Sequence, residues 1–168
     1  MNFTLIGMPA VGKSYFGKKV AERLKLGFVD IDDLIKERVK TSLQEVIDKQ
    51  GDKAFGKLEE QTILDLCPEK DCIISPGGSV IYSENAMNSL KKHSKIIFLD
   101  EGFEALEKRL SNRDSRAIVG LKNKTFKQLF DKRRPLYLKH ADIVIPITTK
   151  DTTETVIEKI IEKIKASS

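Results

Sequence analysis

The chain has 168 residues, of which 40% are hydrophobic and 33% charged, and it carries a formal net charge of +5. That length suits one domain, residues 1–168, with a full hydrophobic core, and the composition is ordinary for a soluble protein. No apolar run approaches the ~20 residues of a membrane span, tryptophan is absent and no basic stretch is interleaved with aromatics, so neither a membrane nor a nucleic acid is expected as partner.

In chain order, Asn2-Phe3-Thr4-Leu5-Ile6 is short, apolar and rich in β-formers, as a buried strand is. It enters Gly7-Met8-Pro9-Ala10-Val11-Gly12-Lys13-Ser14, which has the G-x-x-x-x-G-K-[ST] spacing of a phosphate-binding loop. The glycines allow turns that aim backbone N–H groups at phosphate oxygens. Lys13 is placed for the β- and γ-phosphates and the Ser14 hydroxyl for Mg²⁺. Residues 15–25 follow as a helix, with Phe16, Val20, Ala21 and Leu24 on one face. Strand, loop and helix are the context this motif requires. With the strand beginning at residue 2 there is no room for a signal peptide, and a cytoplasmic location is expected.

Residues 28–30 form a second strand, with Gly27 as the expected cap of the first helix. Residues 32–40 and 43–49 read as two short helices, and a longer one starts at Asp52 and is stopped by Pro68. Cys67 and Cys72 flank that proline and read as reduced thiols rather than zinc ligands, since only His93 and His140 are available to complete a site. Residues 72–75 are the third strand, followed at once by Pro76-Gly77-Gly78-Ser79. A helix at 84–92, a strand at 95–99 and a helix at 102–110 come next. Residues 111–124 are polar, basic and aperiodic, a candidate lid. Residues 126–138 are helical except around Pro135, 143–145 form the fifth strand and 152–165 the last helix. Alternating strands and helices give an α/β fold with a parallel sheet covered on both faces.

Ligands of such sheets bind at the carboxyl ends of the strands. That rule gathers the phosphate loop, Asp30 and Asp32, and Gly77-Gly78 into one cleft. Phosphoryl transfer needs one carboxylate near Mg²⁺ and another to orient the attacking hydroxyl. For Asp32, helix capping is an equal alternative. Arginines stabilise a transferring phosphoryl group, and Arg109, Arg116 and Arg133 are the candidates; Arg113 reads as a surface residue.

The order GMPAVGKS, DID, SPGGS, an arginine seven residues before a lid arginine, RRPLY and a final AD strand resembles the shikimate kinases over residues 2–165. The resemblance implies a three-layer P-loop NTPase fold with sheet order 2-3-1-4-5, a substrate-binding segment at about 31–60 and a lid at about 111–124. It implies ATP and Mg²⁺ as cofactors and shikimate as the small-molecule substrate of a monomeric, ATP-dependent phosphotransferase. Lys13, Asp32 and Arg116 would be catalytic. Residues 7–15, that is Gly7, Met8, Pro9, Ala10, Val11, Gly12, Lys13, Ser14 and Tyr15, together with Arg109, would hold the nucleotide. Asp32, Gly77, Gly78 and Arg133 would hold the acceptor, and Ser14 and Asp30 the metal.

Three departures lie on the acceptor side. The family pattern FRxxE is Phe55-Gly56-Lys57-Leu58-Glu59 here, the third glycine of GGG is Ser79, and RPLL is Arg116-Ala117-Ile118-Val119. Lys53, one helical turn before Gly56, is the candidate replacement for the arginine. A kinase of another small hydroxy acid or sugar acid, and a nucleotide-binding module without turnover, are the alternatives.

Overall fold

The computed structural model describes residues 1–66, 71–111 and 118–167. All five predicted strands form, and they pair in parallel in a single sheet of order β2-β3-β1-β4-β5. β1 (Asn2–Ile6) is central, between β3 (Cys72–Ser75) and β4 (Ser94–Glu101), with β2 (Gly27–Asp30) and β5 (Ile143–Ile147) at the edges. Every residue of β1 is buried, since helices cover both faces, and this is why the strand reads as an unbroken apolar run. Phe3 stands beside Ile73 on one side and Lys95 on the other, a register that brings the ends of β1, β3 and β4 to one rim.

The helices are α1 (Lys13–Leu24), α2 (Ile31–Val39), α3 (Leu43–Leu64), α4 (Glu84–His93), α5 (Phe103–Ser111), α6 (Phe126–His140) and α7 (Thr153–Lys165). α3 joins the two helices expected on either side of Gly51. That residue is non-helical, at φ 83°, ψ 168°, and kinks the chain there. No helix among the described residues is long and apolar enough to cross a membrane.

Two local expectations are corrected. α1 is capped not by Gly27 but by Lys25, at φ 56°, while Gly27 opens β2 and donates its N–H to the Asp71 carbonyl at 3.0 Å. α6 runs unbroken through Pro135. Its buried face of Phe126, Leu129, Arg133, Tyr137 and His140 holds it against the sheet and offsets the hydrogen bond that a proline removes. Cys72 is buried in β3; Cys67 and Pro68 lie outside the described residues.

Candidate active site

The loop between β1 and α1 needs backbone that most side chains resist. Gly12 sits at φ 97°, and a β-carbon there would stand 3.0 Å from the Phe16 ring. Ala10, at φ 69°, takes the left-handed conformation without being glycine. Its carbonyl accepts a 2.9 Å hydrogen bond from Arg109 Nη1. Met8 and Val11 are buried in the core, so they serve the loop through backbone alone. Lys13 Nζ donates to the carbonyls of Gly7 at 2.9 Å and Met8 at 3.2 Å. Burial lowers its pKa to about 8, against the pull of Asp32, so an incoming polyphosphate would meet an ammonium without a strong ion pair to break.

Asp30 ends β2 and caps α2: its Oδ1 accepts the Asp32 N–H at 3.0 Å. The capping alternative therefore belongs to Asp30, and Asp32 keeps its carboxylate for the cavity. Burial, with the negative charge of Asp30, raises the Asp32 pKa; the Lys13 charge opposes them. A carboxylate shifted in that direction is the better proton acceptor.

A cavity of about 790 Å³ opens at this rim, and its walls include Gly12, Lys13, Ser14, Tyr15, Asp30, Asp32, Gly77, Gly78 and Arg133. The phosphate loop, the two aspartates and the glycine pair thus share one cleft, as the strand-end rule requires. Phe55, Ile118 and Val119 supply its apolar wall. The guanidinium of Arg133 is 1% exposed. Nε donates to the Tyr82 hydroxyl at 3.3 Å and Nη2 to the Val119 carbonyl at 2.7 Å, and the group lies over the Tyr82 ring. No carboxylate pairs with it among the described residues. The Arg133 charge is felt by the buried Glu59 carboxyl, whose pKa it helps to hold down.

Arg109 is elsewhere. It lines a second hollow of about 310 Å³ with Gly12, Tyr15, Phe16, Thr148 and Asp151. Besides Ala10 it is paired with the buried Glu101. Tyr15 borders both spaces.

Arg116, and Arg113 with it, lie outside the described residues. The rest of the candidate lid, 118–124, is fastened to α3: the Gly120 N–H donates to Asp52 at 2.8 Å and Lys122 pairs with Asp48 at 2.7 Å. Lys53 does not replace the arginine of the FRxxE pattern. It is exposed and outside the cavity wall, and a β-carbon at Gly56 meets nothing within 4 Å. Besides Lys13, Lys36 reaches the wall, paired with Asp33 at 2.9 Å. Glu59, missed from sequence, is buried behind Gly77 and donates nothing: its Oε2 accepts the Ser79 hydroxyl at 2.8 Å.

The family model for shikimate kinase matches residues 9–165. A shikimate kinase of Sulfurihydrogenibium is 33% identical over 164 residues, covering 98% of each chain. One of Thermodesulfovibrio yellowstonii is 35% identical over 164 residues, covering 96% of this chain and 94% of that one. Among solved structures, Aquifex aeolicus shikimate kinase superposes with a TM-score of 0.82 at 30% identity, covering 99% of this chain and 98% of that one. The Acinetobacter baumannii enzyme in complex with shikimate has a TM-score of 0.85 at 24% identity, covering 99% and 94%, and shares the fold.

Proposed function

The chain belongs to the shikimate kinase family, phosphotransferases that act on an alcohol group, and we propose that it transfers the γ-phosphoryl group of ATP to the 3-hydroxyl of shikimate. The observation that carries the reading is the convergence in one cavity of the phosphate loop, Asp32 and a buried Arg133 that makes no ion pair among the described residues. Polyphosphate, hydroxyl and carboxylate each find a group of suitable chemistry there.

In this reading the loop N–H groups and Lys13 bind the phosphates, and Arg109 borders the base. Arg133 grips the acceptor carboxylate, while the backbone of Gly77 and Gly78 meets the rest of the molecule. Asp32 orients the attacking hydroxyl and takes its proton as the oxygen–phosphorus bond forms and ADP leaves. Lys13 faces the charge on the transferring group, and Arg116 joins it from the lid. The Ser14 hydroxyl and the second oxygen of Asp30 are hard donors that suit Mg²⁺. Mg²⁺ ordinarily takes one or two protein oxygens and completes its shell with phosphate and water. Mg²⁺ would neutralise phosphate charge.

A single-domain monomer in the cytoplasm is the proposed working unit. ADP release measured with Mg²⁺-ATP, with and without shikimate, tests the reading. Release that depends on shikimate supports it; release indifferent to shikimate but stimulated by another hydroxy acid moves the acceptor to that compound.

A further inference from the structure

Glu59 is 2% exposed on the apolar side of α3, one turn from Phe55 and one from Ile63, both buried. A buried carboxyl is ordinarily held by a cation. Here it is held by a turn. Ser79 Oγ donates to Oε2 at 2.8 Å, and Oε1, with no hydrogen-bond partner among the described residues, stands 2.5 Å from where a β-carbon on Gly77 would begin. Burial, with the negative charge of Asp32, pushes the Glu59 pKa up to about 7, while the Ser79 hydrogen bond, the approaching Gly77 N–H and the Arg133 charge pull the other way.

Gly56 precedes Glu59 by three residues and shares its helix face. A β-carbon on Gly56 would meet nothing within 4 Å, so a side chain can start there, and an arginine, the residue the FRxxE pattern carries, is long enough to reach a group one turn along the helix. Ser79, in turn, stands where the GGG pattern has a glycine with no hydroxyl to donate. The two departures are complementary around one carboxyl: a donor is lost at 56 and another gained at 79.

We propose that Glu59 and Ser79 form a positioning pair that takes over from the missing arginine by fixing the 77–79 turn, whose backbone lines the acceptor side of the cavity. The role of the turn rests on the shikimate reading above. Gly56 and Ser79 are then coupled through Glu59.

A double-mutant cycle tests this. Ser79→Gly is expected to raise the acceptor KM about tenfold, the loss of one hydrogen bond to a charged group, with the ATP KM held within twofold. Adding Gly56→Arg to Ser79→Gly recovers most of that loss, and the recovery disappears when Glu59 is Ala. Glu59→Gln, which still accepts from Ser79, keeps the acceptor KM within threefold of wild type. In the ligand-free protein the amide resonances of Gly77 and Gly78 shift in Ser79→Gly and return in the double variant. An unchanged acceptor KM in Ser79→Gly, both KM values rising together with a falling Tm, or a double variant no better than the single one overturns the pairing. Wild type without shikimate turnover overturns the functional reading instead, and the amide resonances then decide the pairing alone: no return toward wild type in the double variant overturns it.

Discussion

The Tyr137 hydroxyl donates to the Gly78 carbonyl at 2.6 Å, so α6 holds from one side the turn that Glu59 and Ser79 hold from the other. Tyr137 is fully buried and stacks on Phe98 at 5.1 Å, contacts that phenylalanine would keep. Tyr137→Phe therefore removes the hydroxyl alone, and with it the bond to Gly78 and the contact with Arg133. It is expected to cost about 1 kcal/mol in urea denaturation and to raise the acceptor KM severalfold, with the ATP KM unmoved.

Arg133 has a structural tie to Val119 and Tyr82 as well as its place in the cavity wall. Lysine keeps the charge but not the fork. Arg133→Lys should raise the acceptor KM by roughly 30-fold or more, in line with a lost charged hydrogen bond of about 2 kcal/mol, while the far-ultraviolet spectrum stays that of the wild type. An unchanged acceptor KM would remove Arg133 from the carboxylate site.

Glu59 gives the protein a pH-dependent stability. Its folded pKa of about 7 lies above the ordinary 4.5, so between those values the folded state binds more protons than the unfolded chain. The stabilisation is complete below about pH 4.5 and is lost as pH rises through 7. Glu59→Gln removes this dependence, and above pH 8 it should be the more stable protein, by at most about 3 kcal/mol. Urea midpoints of both proteins at pH 5 and pH 8 measure the difference.

Lys13→Ala should lower kcat by ~10²–10³-fold or more through loss of a preorganised cation at the transferring group. The fold should persist, because among the described residues Nζ is hydrogen-bonded to two loop carbonyls and to no distant element. Thermal unfolding beside single-turnover kinetics separates the two effects.

Arg109 braces the loop at the strained Ala10 from the second hollow, the proposed place of the base. Arg109→Ala is expected to raise the ATP KM and leave the acceptor KM alone, the reverse of the Tyr137 and Arg133 variants. Initial rates over a grid of both substrates show which KM moves.

The phosphate loop was legible because strand, glycines, lysine and helix lie within two dozen consecutive residues, and local geometry alone places them. The parallel sheet followed from five apolar runs. Asp30 and Asp32 were harder to separate, since both types cap helices; only the backbone direction at the end of β2 decides that Asp30 takes the Asp32 N–H. Lys53 failed as the replacement because sharing a helix face with residue 56 does not give access to the cavity, and its side chain ends in solvent. Glu59 was in view as the glutamate of the FRxxE pattern, but the weight fell on the missing arginine and no role was given to the glutamate. The signal was its i±4 spacing to Phe55 and Ile63, which puts it on the buried side. Arg116, the expected lid catalyst, lies outside the described residues.

The most direct test of the account is acceptor-dependent ADP formation by the wild-type protein with Mg²⁺-ATP and shikimate, with the product identified by phosphorus NMR. The account predicts ADP and a shikimate monoester phosphorylated at the 3-hydroxyl in equal amounts. ATP bound or hydrolysed with no phosphorylated shikimate would contradict it.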